Sequence, residues 1–407
     1  MNNGAVRILY LLNFYGCPCQ KMIVRYLREN PALKVTVAVL PAVRLVKGAL
    51  QINAFILDEK EETLPYNLRL PFPFPAFFTF VFQYVLNFFI LFKLLRKTRI
   101  KKFDVCIALS NYNAALMYFL KLIGRCRFSV FMNGDILPDT NNYLHKGPSR
   151  LNRILNRVLT GCQAVLRRIA YKNDLIWFPI EKIRNWDLEN GLRARQSFVA
   201  NSPIDCRTVK HNLAKQKQPH TLCYIGGLYE YSGVDIAISS LRMVRDEIAD
   251  VRVFFVGGSS LDVERYRELA RRYGVERHIK FYGYVADEDK AQDILAGSMA
   301  GLALYKPVKD NMSLYTDSSK VKTYISAGLP VLITREGPEI SRDIEGFGAG
   351  LLVDYDEADI AKNIIRILKD ADLHSRLKQG VAKFGEAYDY KLLGGDIWGQ
   401  ISGRLKL

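Results

Sequence analysis

Little in this sequence points to redox or metal chemistry. Five histidines stand in 407 residues. His145, His211, His220, His278 and His374 lie in polar contexts, and none stands out as a ligand or a base. Seven cysteines make an odd, scattered count. That excludes an even disulfide framework and fits reduced thiols in a cytosolic chain. Cys17-Pro18-Cys19 lacks the two-residue gap of common zinc and redox sites, and no second pair follows. No metal is expected. No acidic residue occurs from 140 to 173. There is no internal repeat at a solenoid period and no low-complexity tract. The start, M-N-N-G-A-V-R-I-L-Y, enters a strand at once, so no secretory signal is expected.

What is present reads as folded protein. Hydrophobic residues make up 49% and charged residues 24%, a balance that excludes disorder. The length suits two domains rather than one core. The net charge is +17, which favours an anionic partner such as a phospholipid, a nucleic acid or a phosphorylated substrate. Apolar strand-like runs alternate with helical patterns throughout, the signature of parallel α/β layers. In the first half the strands are expected at 7–12, 34–40, 51–57, 104–109, 128–131 and 175–178. In the second they are expected at 221–225, 251–256, 279–281, 301–304, 330–333 and 350–353. The polar, basic stretch 206–220 is expected to be a linker. The domains are then 1–205 and 221–387.

The most informative segment is 317–334, D-S-S-K-V-K-T-Y-I-S-A-G-L-P-V-L-I-T. Asp317 or Ser318 can cap a helix. Gly328 and Pro330 end it, and Val331, Leu332 and Ile333 form a strand. The positive end of the helix dipole sits beside hydroxyls, with Lys320 and Lys322 in the first turn. That combination suits a diphosphate. An ordinary helix–strand joint with solvated lysines has the same spacing, and both readings stay open. In the loop after 221–225, Gly226, Gly227 and Gly233 would let backbone approach a phosphate.

These residues resemble a family. The segment is similar to the donor site of GT-B glycosyltransferases of the large retaining family 4 type, which often read S-P-x-K-x-x-E-Y-x-x-x-G-x-P-V. Lys320, Tyr324, Gly328, Pro330 and Val331 match. The two glutamates of the family's E-x7-E pair fall on Tyr315 and Thr323, so the chain is atypical. Gly226, Leu228 and Gly233 match the family's G-R-L-x-x-x-K-G loop, whose arginine and lysine fall on Gly227 and Ser232. Val256-Gly257-Gly258 and Phe281-Tyr282-Gly283 resemble the family as well. The resemblance implies α/β architecture of GT-B type: two Rossmann-like domains, an interdomain cleft, and a final segment, 388–407, crossing back to the first domain. It implies a nucleotide-sugar donor, as substrate rather than cofactor. Gly226, Gly227, Gly257, Tyr282, Lys306, Ser318, Ser319, Lys320 and Thr323 are the candidate donor contacts.

The first half is apolar and basic. Residues 75–92 are nearly continuous hydrophobics broken by Gln83 and Asn87, followed by Lys93, Arg96 and Lys97. They read either as a core helix or as a helix lying partly in a lipid interface. Arg150, Arg153 and Arg157 share a helical face by spacing, and the stretch around them mixes in no acid. That suits lipid headgroups or a polyprenyl-diphosphate acceptor. No nucleic-acid motif accompanies the charge, so no nucleic acid is expected. Asp135, in N-G-D after an apolar strand, is the candidate general base for an acceptor hydroxyl, or else a cap. The expected activity is sugar transfer to a lipid-linked or glycan acceptor in cell-surface polysaccharide synthesis. The expected place is the cytoplasmic face of an anionic membrane. The rival is an inactive GT-B binding subunit of a glycan assembly complex, because the family's Glu, Arg and Lys side chains are missing.

Overall fold

The computed structural model describes residues 5–13, 18–40, 44–46, 49–58, 60, 63–71, 76–98, 100–134 and 150–405. The chain divides into two units, 1–202 with 393–407, and 203–392.

The first unit is built on a mixed sheet. Its strands are β1 (Val6–Leu12), β2 (Leu33–Val39), β3 (Arg44–Val46), β4 (Ala49–Leu57), β5 (Thr63–Pro71), β6 (Phe103–Leu109), β7 (Cys126–Met132), β8 (Leu175–Phe178) and β9 (Ser197–Val199). The order is β3-β4-β2-β1-β6-β7-β8-β9, with β5 paired to β4. The strands β2, β1, β6, β7, β8 and β9 run parallel. They are buried on both faces, which is why they read as apolar runs. The strands β3, β4 and β5 add an antiparallel flap. Expectation named only β4 there, because Pro65 and Pro71 make β5 read as irregular; proline is tolerated at sheet edges. The short strand β9 also went unnoticed.

The helices are α1 (Pro18–Glu29), α2 (Ala76–Lys97), α3 (Asn111–Leu122), α4 (Arg150–Ala170) and α5 (Glu181–Glu189). Right-handed crossovers place α2, α3 and α4 on one face of the sheet and α1, which steps the other way, on the opposite face. The helix α2 covers 76–97, so the apolar run is helical. Its inner side, Asn87, Ile90, Leu91, Leu94 and Leu95, is buried. Among the described residues no helix is long and apolar enough to cross a membrane.

The second unit is a parallel sheet of β10 (Thr221–Ile225), β11 (Arg252–Val256), β12 (Ile279–Gly283), β13 (Ala300–Ala303), β14 (Val331–Thr334) and β15 (Gly350–Val353). The order is β12-β11-β10-β13-β14-β15. Residues 206–220, expected as linker, hold a helix, α6 (Cys206–Leu213), within this unit. Asp205 caps it. Its Val209 and Asn212 are buried, and the Asn212 amide donates to Ser326 O at 2.8 Å. Two buried contacts in a polar stretch suffice to dock a short helix, and composition hides them. The sheet is flanked by α7 (Val234–Glu247), α8 (Ser260–Arg272), α9 (Glu288–Ala296), α10 (Ser319–Ser326), α11 (Ile340–Gly346), α12 (Glu357–Lys369) and α13 (Ala371–Ala387). A core of Leu222, Ile238, Leu241, Val253, Phe255 and Ile364 fills it. The last helix is α14 (Tyr390–Ser402). Its Ile397 and Ile401 pack in the core of the first unit with Ile23, Val24 and Trp177. Gly394 lies so close to Tyr26 that a Cβ there would sit 2.5 Å from its ring.

Candidate functional site

In an open parallel sheet, ligands gather at the carboxyl ends of the strands where the order switches direction. In the second unit that point lies between β10 and β13. Strand β10 ends in Gly226-Gly227, and β11 ends in Gly257-Gly258. Gly226 holds φ 127° and Gly257 φ 122°. A Cβ on Gly257 would lie 2.1 Å from Gly226 O, so only glycine lets the two strand ends meet. Gly226 N donates to Val256 O at 3.0 Å and Gly257 N to Gly283 O at 2.7 Å. These turns line a pocket of about 560 Å³ together with Tyr229, Ser259, Asp262 and Tyr284.

Beside it, α10 begins. Ser318 caps the helix by accepting from Val321 N at 3.3 Å, and its hydroxyl meets Tyr305 Oη at 2.6 Å. Lys320 follows in the first turn. Its Nζ lies 3.9 Å from the centroid of Tyr224 and 5.3 Å from that of Tyr305. Its Cε is 3.5 Å from where a Cβ on Gly226 would be. Tyr224 in turn donates to Gly227 O at 2.7 Å. Lys320 thus bridges the glycine loop and the helix start, held by aromatic faces. Among the described residues it has no carboxylate partner. Burial pushes its ammonium down to about 8, and Tyr305 pulls weakly the other way. Tyr324, fully buried, locks the strand ends: it donates to Leu302 O at 2.8 Å and accepts from Ile225 N at 3.0 Å.

The other candidates are placed differently. Lys322, a possible phosphate cation by spacing, is buried and paired with Asp317. Asp317 is therefore spent on that ion pair and Ser318 is the cap. Ser319 is exposed. Thr323 donates to Ser319 O at 2.8 Å. Lys306 follows β13, and its N–H donates to Tyr231 O at 3.2 Å. The ring of Tyr282 meets Phe254 edge-on at 5.8 Å, and the aromatics that line the pocket are Tyr229 and Tyr284, both exposed. Alternation along β12 puts residues two apart on one side, so it cannot choose between Tyr282 in the strand and Tyr284 just past its end. Tyr229 and Asp262 also went unnamed; nothing in their spacing marks them.

In the first unit, β1 and β6 flank the corresponding switch point. Ser110 there holds φ 74° and caps α3, and Asn113 donates to Asn13 Oδ1 at 2.7 Å. Asp135 lies outside the described residues. Asn133, two residues earlier, donates to Asp187 Oδ2 at 2.6 Å. Asp187 also pairs with Arg167, and both are almost wholly buried. Lys93 is exposed near the end of α2, Arg96 and Lys97 on its last turn, and Arg157 on α4. Arg150 and Arg153 belong to α4, but their side chains lie outside the described set. One cluster among the described residues, Asp205, Cys206 and Asp389, has metal-ligand spacing. Its carboxylates already accept from Arg207 and from Cys206 N.

A sequence profile of the family described as "Glycosyl transferases group 1" matches residues 219–370. Residues 219–370 are thus similar to a group 1 glycosyl transferase. No curated protein matches the sequence. Among solved structures the chain is similar to sucrose-phosphate synthase from Thermosynechococcus elongatus, at 14% identity over 98% of this chain and 99% of that one, with a TM-score of 0.66. It is similar to Anabaena HepE in complex with UDP and glucose, at 15% identity over 98% and 99%, TM-score 0.63. It is also similar to WaaG, a glycosyltransferase involved in lipopolysaccharide biosynthesis, at 12% identity over 97% and 100%, TM-score 0.60. At these identities the likeness is one of fold, the GT-B fold of two Rossmann-like domains. The profile match over 219–370 and the fold agree in pointing to a glycosyltransferase.

Proposed function

We propose that this glycosyltransferase moves a sugar from a nucleotide-sugar to a lipid-linked or glycan acceptor in cell-surface polysaccharide synthesis, at the inner face of a membrane. The observation that carries the donor half is Lys320. A half-buried ammonium without a counter-ion, beside a helix N-terminus and two glycine turns, lacks only an anion. A donor diphosphate supplies it. The nucleoside would then occupy the pocket at the ends of β10 and β11. HepE, of the same fold, holds UDP and glucose, which supports a nucleotide-sugar here. WaaG, named for lipopolysaccharide biosynthesis, supports a surface glycan as product. The basic first unit supports a membrane address.

Asp135 is the proposed general base for the acceptor hydroxyl. Asp135→Asn keeps the shape and removes the proton acceptor, so turnover should fall by roughly a hundredfold while donor binding persists. The donor seat is tested by titration calorimetry with UDP and a panel of nucleotide-sugars. Lys320→Ala should lose a charge-assisted contact of about 1.5–3 kcal/mol. Unchanged affinity would remove Lys320 from the site.

A second reading, an inactive binding subunit, draws on Thr323. Its hydroxyl is bonded to the backbone of its own helix, where the family resemblance leads one to look for a carboxylate. Transfer of label from any donor to a membrane extract would exclude it.

A further inference from the structure

We propose that the outer face of α2, α3 and α4 is the surface on which this chain lies against an anionic lipid bilayer. Apolar side chains would enter the boundary between headgroups and acyl chains, with basic residues around them holding phosphates. The proposal rests on the membrane part of the reading above and adds which face docks and by what chemistry.

The three helices form one layer. They lie on the same side of the sheet, α3 packs against α4, and α2 meets α3 where the rings of Phe88 and Phe119 stand 5.0 Å apart. Their inner sides build the core, as with Leu91 and Leu94 on α2 and Met117 and Leu120 on α3. Their outer sides do not read as a solvated surface. Phe89 is 59% exposed, Leu122 66% and Val165 54%, and Val85 on α2, Val158 on α4 and Ile123 at the end of α3 are exposed as well. Scattered exposed apolar residues need no explanation, but several on three helices of one layer are what an interaction surface requires.

Charge decides what covers it. Acidic residues number 41 in the 407 of the chain. None falls in α2, α3 or α4, whereas Lys93, Arg96, Lys97, Arg157 and Arg168 are exposed on α2 and α4. A solvated helix mixes signs. A purely basic helix layer with apolar side chains between the charges complements anionic headgroups above an acyl phase. Most of the exposed side chains are aliphatic, with no ring face to stack on a base, so nucleic acid fits less well. The buried inner side of α2 rules out a spanning role for that helix.

The test uses the full chain and two kinds of vesicle, phosphatidylcholine alone and phosphatidylcholine with one third phosphatidylglycerol. Wild type should sediment with the anionic vesicles, less so as salt rises. The triple variant Phe89→Ser, Leu122→Ser, Ile123→Ser should lose at least about tenfold in partitioning at fixed salt. Lys93→Gln, Arg96→Gln, Lys97→Gln should lose the salt-sensitive part. Met243→Ser, an exposed apolar position on α7, should partition as wild type. UDP titration of each variant confirms that it is folded. If the apolar triple variant partitions as wild type does, this face is wrong and the membrane reading stands. If wild type stays with neither vesicle, the face and the membrane reading fall together, and retained UDP binding shows that the transferase reading does not. If the chain dimerises in the absence of lipid and the triple variant does not, the face is an interface between copies and the proposal is overturned.

Discussion

Lys320 carries a testable pH dependence. Its ammonium is pushed from an ordinary 10.5 to about 8 because burial disfavours the charged form. The unfolded chain therefore holds that proton more tightly, and this group makes the fold more stable as pH rises from 8 toward 10.5. A diphosphate reverses the preference by pairing with the charge. UDP should bind best below pH 8 and weaken as pH rises through that value. Near pH 8 to 9, binding should draw a proton from the buffer. Calorimetry in buffers of different ionisation enthalpy reads that uptake directly, and Lys320→Met should abolish it. Uptake that persists in the variant would place the titrating group elsewhere. In the first unit, Arg167 and Asp187 form a buried pair, with Asn133 also donating to the carboxylate. Asp187→Ala would strand the guanidinium, at a cost of about 3–5 kcal/mol in denaturant unfolding. A loss below about 1 kcal/mol would mean that water reaches the site.

At the scale of elements, the joint between β10, β13 and α10 depends on glycine where backbones touch. Gly233 holds φ 68°, and a Cβ there would sit 1.7 Å from Leu304 O. Leu304 leads into Tyr305, one of the two rings around Lys320. Gly233→Ala should cost at least about 2 kcal/mol and weaken UDP binding with it; a variant of native stability would show that the loop can move aside. This joint also shows what a sequence discloses. The strands of the parallel sheets are legible because burial on both faces leaves them apolar. The cap and the stop of α10 are legible because Ser318, Gly328 and Pro330 act locally. The elements that escaped, β5 with its two prolines and α6 with its polar surface, are fixed by partners distant in sequence. The same holds for the site. That Lys320 is uncompensated and Lys322 is neutralised cannot be read from two lysines two residues apart: Lys322 turns inward to Asp317, while Lys320 meets Tyr224, almost a hundred positions earlier. Tyr284 was hidden for the opposite reason, since just past the end of β12 no period applies.

At the scale of the whole molecule, the two proposed tasks belong to different units. The donor seat draws on residues 224–320, inside 203–392, and the lipid face on α2, α3 and α4, inside 1–202. Each unit has its own core, one around Leu222, Ile238 and Phe255 and the other around Ile8, Tyr10 and Trp177. Substitutions that share no partner add in free energy to within about 0.5 kcal/mol. Lys320→Ala should therefore weaken UDP binding and leave vesicle partitioning unchanged. The Lys93, Arg96, Lys97 glutamine variant should do the reverse. A chain carrying both sets should show both losses in full, each within about twofold of its single-set value. The measurement is a UDP titration with and without anionic vesicles on all four proteins. If UDP affinity in wild type rises when vesicles are added, and the glutamine variant loses that rise, the two tasks are coupled. By reciprocity UDP would then tighten membrane binding by the same factor, and the independence argued from separate cores would be wrong.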